Sequence, residues 1–84
     1  MNEKKILKKI LSGSKNIAFD DFVKLIFSFG FFLDRENGSH HIFKRKGIIE
    51  MLNIQNVNGQ VKPYQVKQFL TIIENYGLKM EETK

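Results

Sequence analysis

Cysteine and tryptophan are absent from this 84-residue chain, and proline occurs once. Without cysteine there is no disulfide, no thiol nucleophile and no zinc site built on sulfur, a composition that fits a reducing cytoplasm. Without tryptophan the eight phenylalanines supply the large apolar rings, and a Phe-based core is expected. Histidine is also scarce, with only His40 and His41. The two are adjacent, no His-x-x-x-His or carboxylate-rich spacing accompanies them, and a transition-metal site would lack its third ligand. No metal or other cofactor is therefore expected. Long apolar runs are missing too: the longest, Leu25 to Leu33, falls far short of the roughly 20 residues of a spanning helix. Lys4, Lys5, Lys8 and Lys9 imitate the basic start of a signal peptide, but Gly13, Lys15, Asp20, Asp21 and Lys24 break the apolar segment behind them. Neither export nor membrane insertion is read, and a cytoplasmic location is expected.

What is present is positive charge. Fourteen Lys and Arg against nine Asp and Glu leave +5, with a pI near 9.6, which tilts the partner toward a polyanion. With 42% hydrophobic and 27% charged residues, the chain reads as soluble and globular. Its length closes one core and no more, so residues 1–84 form a single domain.

Along the chain, residues 2–12 place Ile6, Leu7, Ile10 and Leu11 on one side of a helix and Lys4, Lys5, Lys8 and Lys9 largely on the other, ended by Ser12-Gly13-Ser14. That basic side is a solvated face, a phosphate-tracking face or a partner-docking arm. A second helix follows, capped by Asn16, carrying Phe19, Phe22, Val23, Ile26 and Phe29 at helical spacing and stopped by Gly30. Phe31 to Arg35 reads as a strand, Asn37-Gly38 as a hairpin turn, and His40 to Lys44 as the return strand. Ile48 to Gln55 reads as a third strand. A second Asn-Gly pair, Asn58-Gly59, marks another turn, and Pro63 opens a closing helix with Val66, Phe69, Leu70, Ile73 and Tyr76 inward. Gly77 falls where a left-handed cap belongs, with Leu78 folding back on Ile73. The expected fold is α+β: a three-stranded antiparallel sheet with helices on one face and the other face open to a ligand.

Strand alternation sorts the histidines. His40 and Ile42 share one face, His41, Phe43 and Arg45 the other, and if Phe43 packs under the helices then His40 points outward. An imidazole titrating near neutrality suits the proton transfers at a ribose 2′-hydroxyl or a leaving 5′-oxygen. Ser39 beside it is placed to donate to a phosphate oxygen, and Lys44, Arg45 and Lys46 to neutralise phosphate.

Gly30-Phe31 after a helix, Gly38-Ser39-His40 followed by Phe43, and a closing helix ending in Tyr76-Gly77-Leu78 together resemble the HicA family of toxin ribonucleases from toxin-antitoxin pairs. The resemblance runs from about Asn16 to Leu78, and the helix at residues 2–12 is an N-terminal extra beyond compact members. It implies a fold like a double-stranded-RNA-binding domain, metal-independent cleavage of mRNA with arrest of translation, and neutralisation by a HicB-like antitoxin. It carries the catalytic role to His40 alone; His41 is expected to pack. Lys62 and Lys67 would extend the RNA surface from the closing helix. Two other readings keep the fold: a non-catalytic module recognising RNA by shape and backbone, and a basic face for an acidic protein.

Overall fold

Asn2 starts the first helix in the computed structural model, which describes residues 2–81: its Oδ1 accepts from the Lys5 N–H at 2.9 Å. This helix, α1, spans Glu3–Leu11 and buries Ile6 and Ile10. Its Lys4–Lys8 and Lys5–Lys9 pairs lie one turn apart, and like charges at that spacing each disfavour the helix by a few tenths of a kcal/mol. Burial of the two isoleucines against α2 (Phe19–Ser28) offsets that repulsion.

Capping of α2 differs from the sequence expectation. The N-cap is Ala18, with no side-chain cap, rather than Asn16. Residues ahead of the helix are extended and stitched to a later loop: Phe19 N–H donates to the Gly59 carbonyl at 2.8 Å, and Val61 N–H to the Ile17 carbonyl at 3.0 Å. A distant backbone carbonyl thus satisfies the end that a local side chain would otherwise cap. The C-terminal stop is Gly30, at φ +86°, and a Cβ there would lie 2.9 Å from both Arg45 Nε and a Glu81 carboxylate oxygen. A side chain there would be strained by the backbone conformation and would require the Arg45 and Glu81 side chains to shift.

Three strands follow, β1 (Phe32–Asn37), β2 (His40–Lys44) and β3 (Leu52–Gln55), in the order β1-β2-β3 with β1 on an edge. Asn37 pairs with His40, so the two-residue loop is Gly38-Ser39, one position past the Asn-Gly signal. Gly38 at φ +62°, with Ser39 outside the positive-φ region, is the type II′ pattern whose twist suits a hairpin. A bulge interrupts β1: Leu33 faces Phe43, Arg35 faces Ile42, and Asp34 is the extra residue. The third strand is shorter than expected. Pairing ends at Phe43 with Leu52, and residues 45–51 form a loop turned at Gly47 that leaves Ile49 92% exposed. Ile48 to Met51 has strand composition but among the described residues no strand pairs with it, and composition alone does not make a ladder.

The second Asn-Gly pair behaves as read. Asn58 and Gly59 both have positive φ, and Val57 and Gln60 exchange backbone hydrogen bonds across the turn. Pro63 opens α3 (Pro63–Tyr76), and the buried Gln65 accepts from the Lys62 N–H while its amide donates to the Asn53 carbonyl. This ties the helix start to β3. At the other end Gly77 is left-handed, Gly77 N–H reaches Glu74 and Leu78 N–H reaches the Ile73 carbonyl, both bonds of a Schellman ending. Among the described residues no helix is long and apolar enough to cross a membrane.

The core lies between the helices and one sheet face. Phe43 of β2, and Leu52 and Ile54 of β3, are almost fully buried against Phe22, Leu25, Ile26 and Phe69. Tyr76 links α3 to the 45–51 loop, donating its hydroxyl to Glu50 at 2.6 Å. The Glu50 carboxylate raises the Tyr76 phenol above its usual 10.0, first by accepting this hydrogen bond, with desolvation adding to the effect. The bond therefore contributes below pH about 10 and is lost as pH rises through the raised value. A Tyr76→Phe variant is expected to lose the late component of the phenolate absorbance titration. Its stability deficit relative to the parent should vanish at high pH.

Candidate active site

The outward sheet face follows from the register. Phe43 and His41 oppose Leu52 and Ile54 on the core side, so His40, Ile42 and Lys44 of β2, with Asn53 and Gln55 of β3, point the other way. The bulge at Asp34 keeps Arg35 and Asn37 on this same outward side, opposite Ile42 and His40. Among the described residues no helix covers this face, and His40 and Asn53 are exposed on it.

His40 is exposed at the start of β2, beside the hairpin loop. Its Nδ1 lies 3.0 Å from Asn53 Oδ1. An amide oxygen only accepts, so in this contact Nδ1 is the donor, and in the neutral ring Nε2 is the nitrogen that holds the lone pair. The orienting residue sits diagonally across the ladder, since Asn53 is paired with Ile42 and His40 with Gln55. Gln55 in turn donates to Ser39 Oγ at 3.3 Å, leaving the Ser39 hydroxyl proton for an acceptor on a ligand. Ser39 is held from behind as well, because its carbonyl accepts from Asn56 N–H at 3.0 Å.

His41 occupies a different environment. Its ring packs 4.7 Å from Phe19 of α2, Nδ1 contacts the Ser39 carbonyl at 3.2 Å, and Nε2 lies 3.7 Å from Glu36. Both nitrogens face protein groups, so this ring joins sheet to helix.

The cations separate into three sets. Lys44 shares the outward face with His40, four residues along β2, or about 13 Å at the usual rise. It also sits 3.6 Å from Asp34, which Arg35 approaches at 4.0 Å. Two cations thus share one carboxylate and leave a net positive charge. Lys46 is exposed in the turn after the strand. Arg45 points to the helical side, where Nε donates to the Phe29 carbonyl at 2.8 Å and closes the end of α2. Lys62 stands at the start of α3 beside the Gln65–Asn53 link, and Lys67 on its exposed side. The structure thus brings Ser39, His40 and Lys44 onto one face and sets Arg45 and Lys67 apart from it. Among the described residues no three His, Asp or Glu side chains converge to hold a metal.

Asn53 and Gln55 join the site although local sequence pattern does not single them out. Their signal was the alternation Leu52-Asn53-Ile54-Gln55, which exposes every second residue of the third strand, but which residue met His40 depended on a loop length that local pattern left open.

Residues 19–77 match the family model of the HicA toxin of bacterial toxin-antitoxin systems. No match was found among curated proteins or among solved structures. The match covers more than two thirds of the chain, including α2, all three strands and α3, and leaves α1 outside. The three helices and three-stranded antiparallel sheet agree with the double-stranded-RNA-binding-domain-like arrangement of that family. On the matched segment and its fold, this chain belongs to the HicA toxin family, the toxin side of toxin-antitoxin pairs.

Proposed function

We propose that this toxin is an endoribonuclease that cleaves mRNA, with His40 as its proton-transfer residue. One observation carries the proposal: an exposed imidazole on an uncovered sheet face, its Nδ1 held by Asn53 so that Nε2 is a ready acceptor. In the cleavage step Nε2 takes the proton of a ribose 2′-hydroxyl, and the oxygen attacks the adjacent phosphorus. The bond to the 5′-oxygen breaks, and that oxygen takes a proton from a solvent water, whose hydroxide then removes the proton held on Nε2 and restores the neutral ring. The products are a 2′,3′-cyclic phosphate and a 5′-hydroxyl, and no metal enters the step. The Ser39 hydroxyl donates to a non-bridging oxygen, where negative charge grows.

Lys44 contacts a phosphate further along the strand, since 13 Å is beyond the scissile group, and Lys46 continues the track from the turn. Lys62 adds charge beside β3, and Lys67 extends it along α3. Arg45 contributes its remaining guanidinium nitrogens while its Nε stays on the Phe29 carbonyl. A HicB-like antitoxin is the partner that holds the activity in check, and the cytoplasm, where mRNA is translated, is the site of action.

The test is incubation of mRNA with parent and His40→Ala protein. Loss of cleavage with RNA binding retained supports the assignment, whereas undiminished cleavage removes it. Binding without any product from the parent would leave a non-catalytic RNA module. A finer expectation concerns Asn53. Asn53→Ala removes the hydrogen bond that selects the His40 tautomer, worth about 0.5–1.5 kcal/mol, so kcat should fall roughly 2- to 13-fold at unchanged RNA affinity. An unchanged kcat would show that the imidazole orients without it.

A further inference from the structure

We infer that the lysine face of α1 is a second RNA contact surface, one that adds a large salt-dependent share of the affinity while the His40 face supplies the chemistry. The inference rests on RNA being the substrate.

Charge distribution is the first observation. Residues 1–18 hold five lysines against one glutamate and so carry +4 of the chain's +5, whereas residues 19–77, the segment that matches the family, hold seven Lys and Arg against six Asp and Glu. The family domain itself is nearly neutral. Most of the net attraction for a polyanion therefore comes from the segment ahead of the family domain, where α1 holds four of the five lysines.

The second observation is how that helix is held. Ile6 is 1% exposed and Ile10 4%, so α1 is fixed on α2 and not a loose arm. At about 100° per residue, Lys4, Lys8, Lys5 and Lys9 fall on a continuous arc of about 140°, opposite the buried isoleucines. Among the described residues no carboxylate lies within ion-pair distance of these four lysines. Lys4 to Lys8 and Lys5 to Lys9 each advance about 6 Å along the axis, near the spacing of successive phosphates in an extended strand. A backbone running along the arc meets two parallel rows of ammonium groups, and its charge relieves the repulsion between them.

The neighbouring groove, of ≈ 790 Å³, is a poorer seat for an anion. Lys4 and Lys24 line it, but so do Glu3 and Glu81. The strand therefore follows the outer arc of Lys4, Lys5, Lys8 and Lys9 and does not enter the groove.

The test replaces these four lysines with glutamine, which keeps the charge off and the helix propensity close. Binding is measured against salt in a His40→Ala background so that the RNA stays intact. Each lysine neutralising one single-strand phosphate contributes about 0.7 to the slope of log K against log salt, so the quadruple variant should lose about 3 units of slope. Helix content by circular dichroism should be retained. With His40 intact, kcat at saturating RNA should be unchanged while KM rises. A slope and affinity equal to the parent's would overturn the inference and leave the His40 assignment standing. Lost affinity for anionic phospholipid vesicles or for an acidic protein, with RNA affinity intact, would overturn it as well. Absence of RNA binding by the parent would remove both readings together.

Discussion

His40→Ala is expected to abolish RNA cleavage and growth arrest while the protein remains folded. General acid–base groups contribute typically about 10²- to 10⁴-fold to rate, and among the described residues no other imidazole reaches the outward sheet face. His41, its neighbour in sequence, is committed to Phe19 and the Ser39 carbonyl on the opposite side. The side chain lost is exposed and makes one hydrogen bond, to Asn53, whose amide is itself exposed and passes to water when the ring is removed. The stability cost should stay within about 1 kcal/mol. Cleavage of a defined transcript, a growth assay and a urea titration on the same variant decide the matter. Full toxicity from a folded His40→Ala protein would end the catalytic assignment. The companion substitution His41→Ala should show the reverse pattern, a loss of stability exceeding the loss of cleavage per folded molecule.

The largest stability effect is expected at Phe69. Its ring is fully buried and meets three others edge-on or at a steep tilt, Phe22 at 5.3 Å, Phe29 at 5.5 Å and Phe31 at 6.1 Å. Through these contacts α3 is fastened to α2 and to the chain leading into β1. Truncating a buried Phe to Ala costs about 3–5 kcal/mol, and edge-on aromatic pairs add to the loss beyond simple area. A chain of this length has on the order of 4–13 kcal/mol in total. Phe69→Ala should therefore leave the domain largely unfolded or barely folded at 37 °C. Urea denaturation should report a midpoint far below the parent's, and thermal melting a fall of about 4–8 °C for each kcal/mol lost. A loss under about 1 kcal/mol would mean that the cluster repacks around the gap and that Phe69 is not its centre.

Elements whose cause is local could be read from the sequence. Gly77 needs a left-handed backbone and Leu78 an apolar partner within the same turn, so the end of α3 was evident from a few adjacent residues. The Asn58-Gly59 turn and the outward direction of His40 are of the same kind, following from φ preferences and strand alternation. Features fixed by distant chain were not legible. Asn16 looks like a cap, yet the start of α2 is satisfied by Gly59, forty residues on. Ile48 to Met51 looks like strand, but whether it pairs depends on where β2 stops. The same indeterminacy hid Asn53: its contact with His40 is diagonal across two strands and needs their register. Arg45 illustrates a third case, where a run of three cations reads as one patch until the fold turns its middle member toward a helix end.

The bulge at Asp34 bears on how copies of the protein behave in a crowd. β1 lies at the edge of the sheet with all six of its residues exposed, and an exposed edge of unpaired amides invites another strand to dock and start a fibre. Asp34 breaks the regular spacing of that edge midway, and Asp34, Arg35 and Glu36 place charge of both signs on it. A second molecule finds no straight ladder to extend, and the exposed Phe32 and Leu33 at the start of the edge give way at once to three charged residues. The residue that keeps the two halves of β1 in step with β2 thereby also discourages the molecule from polymerising through its own sheet.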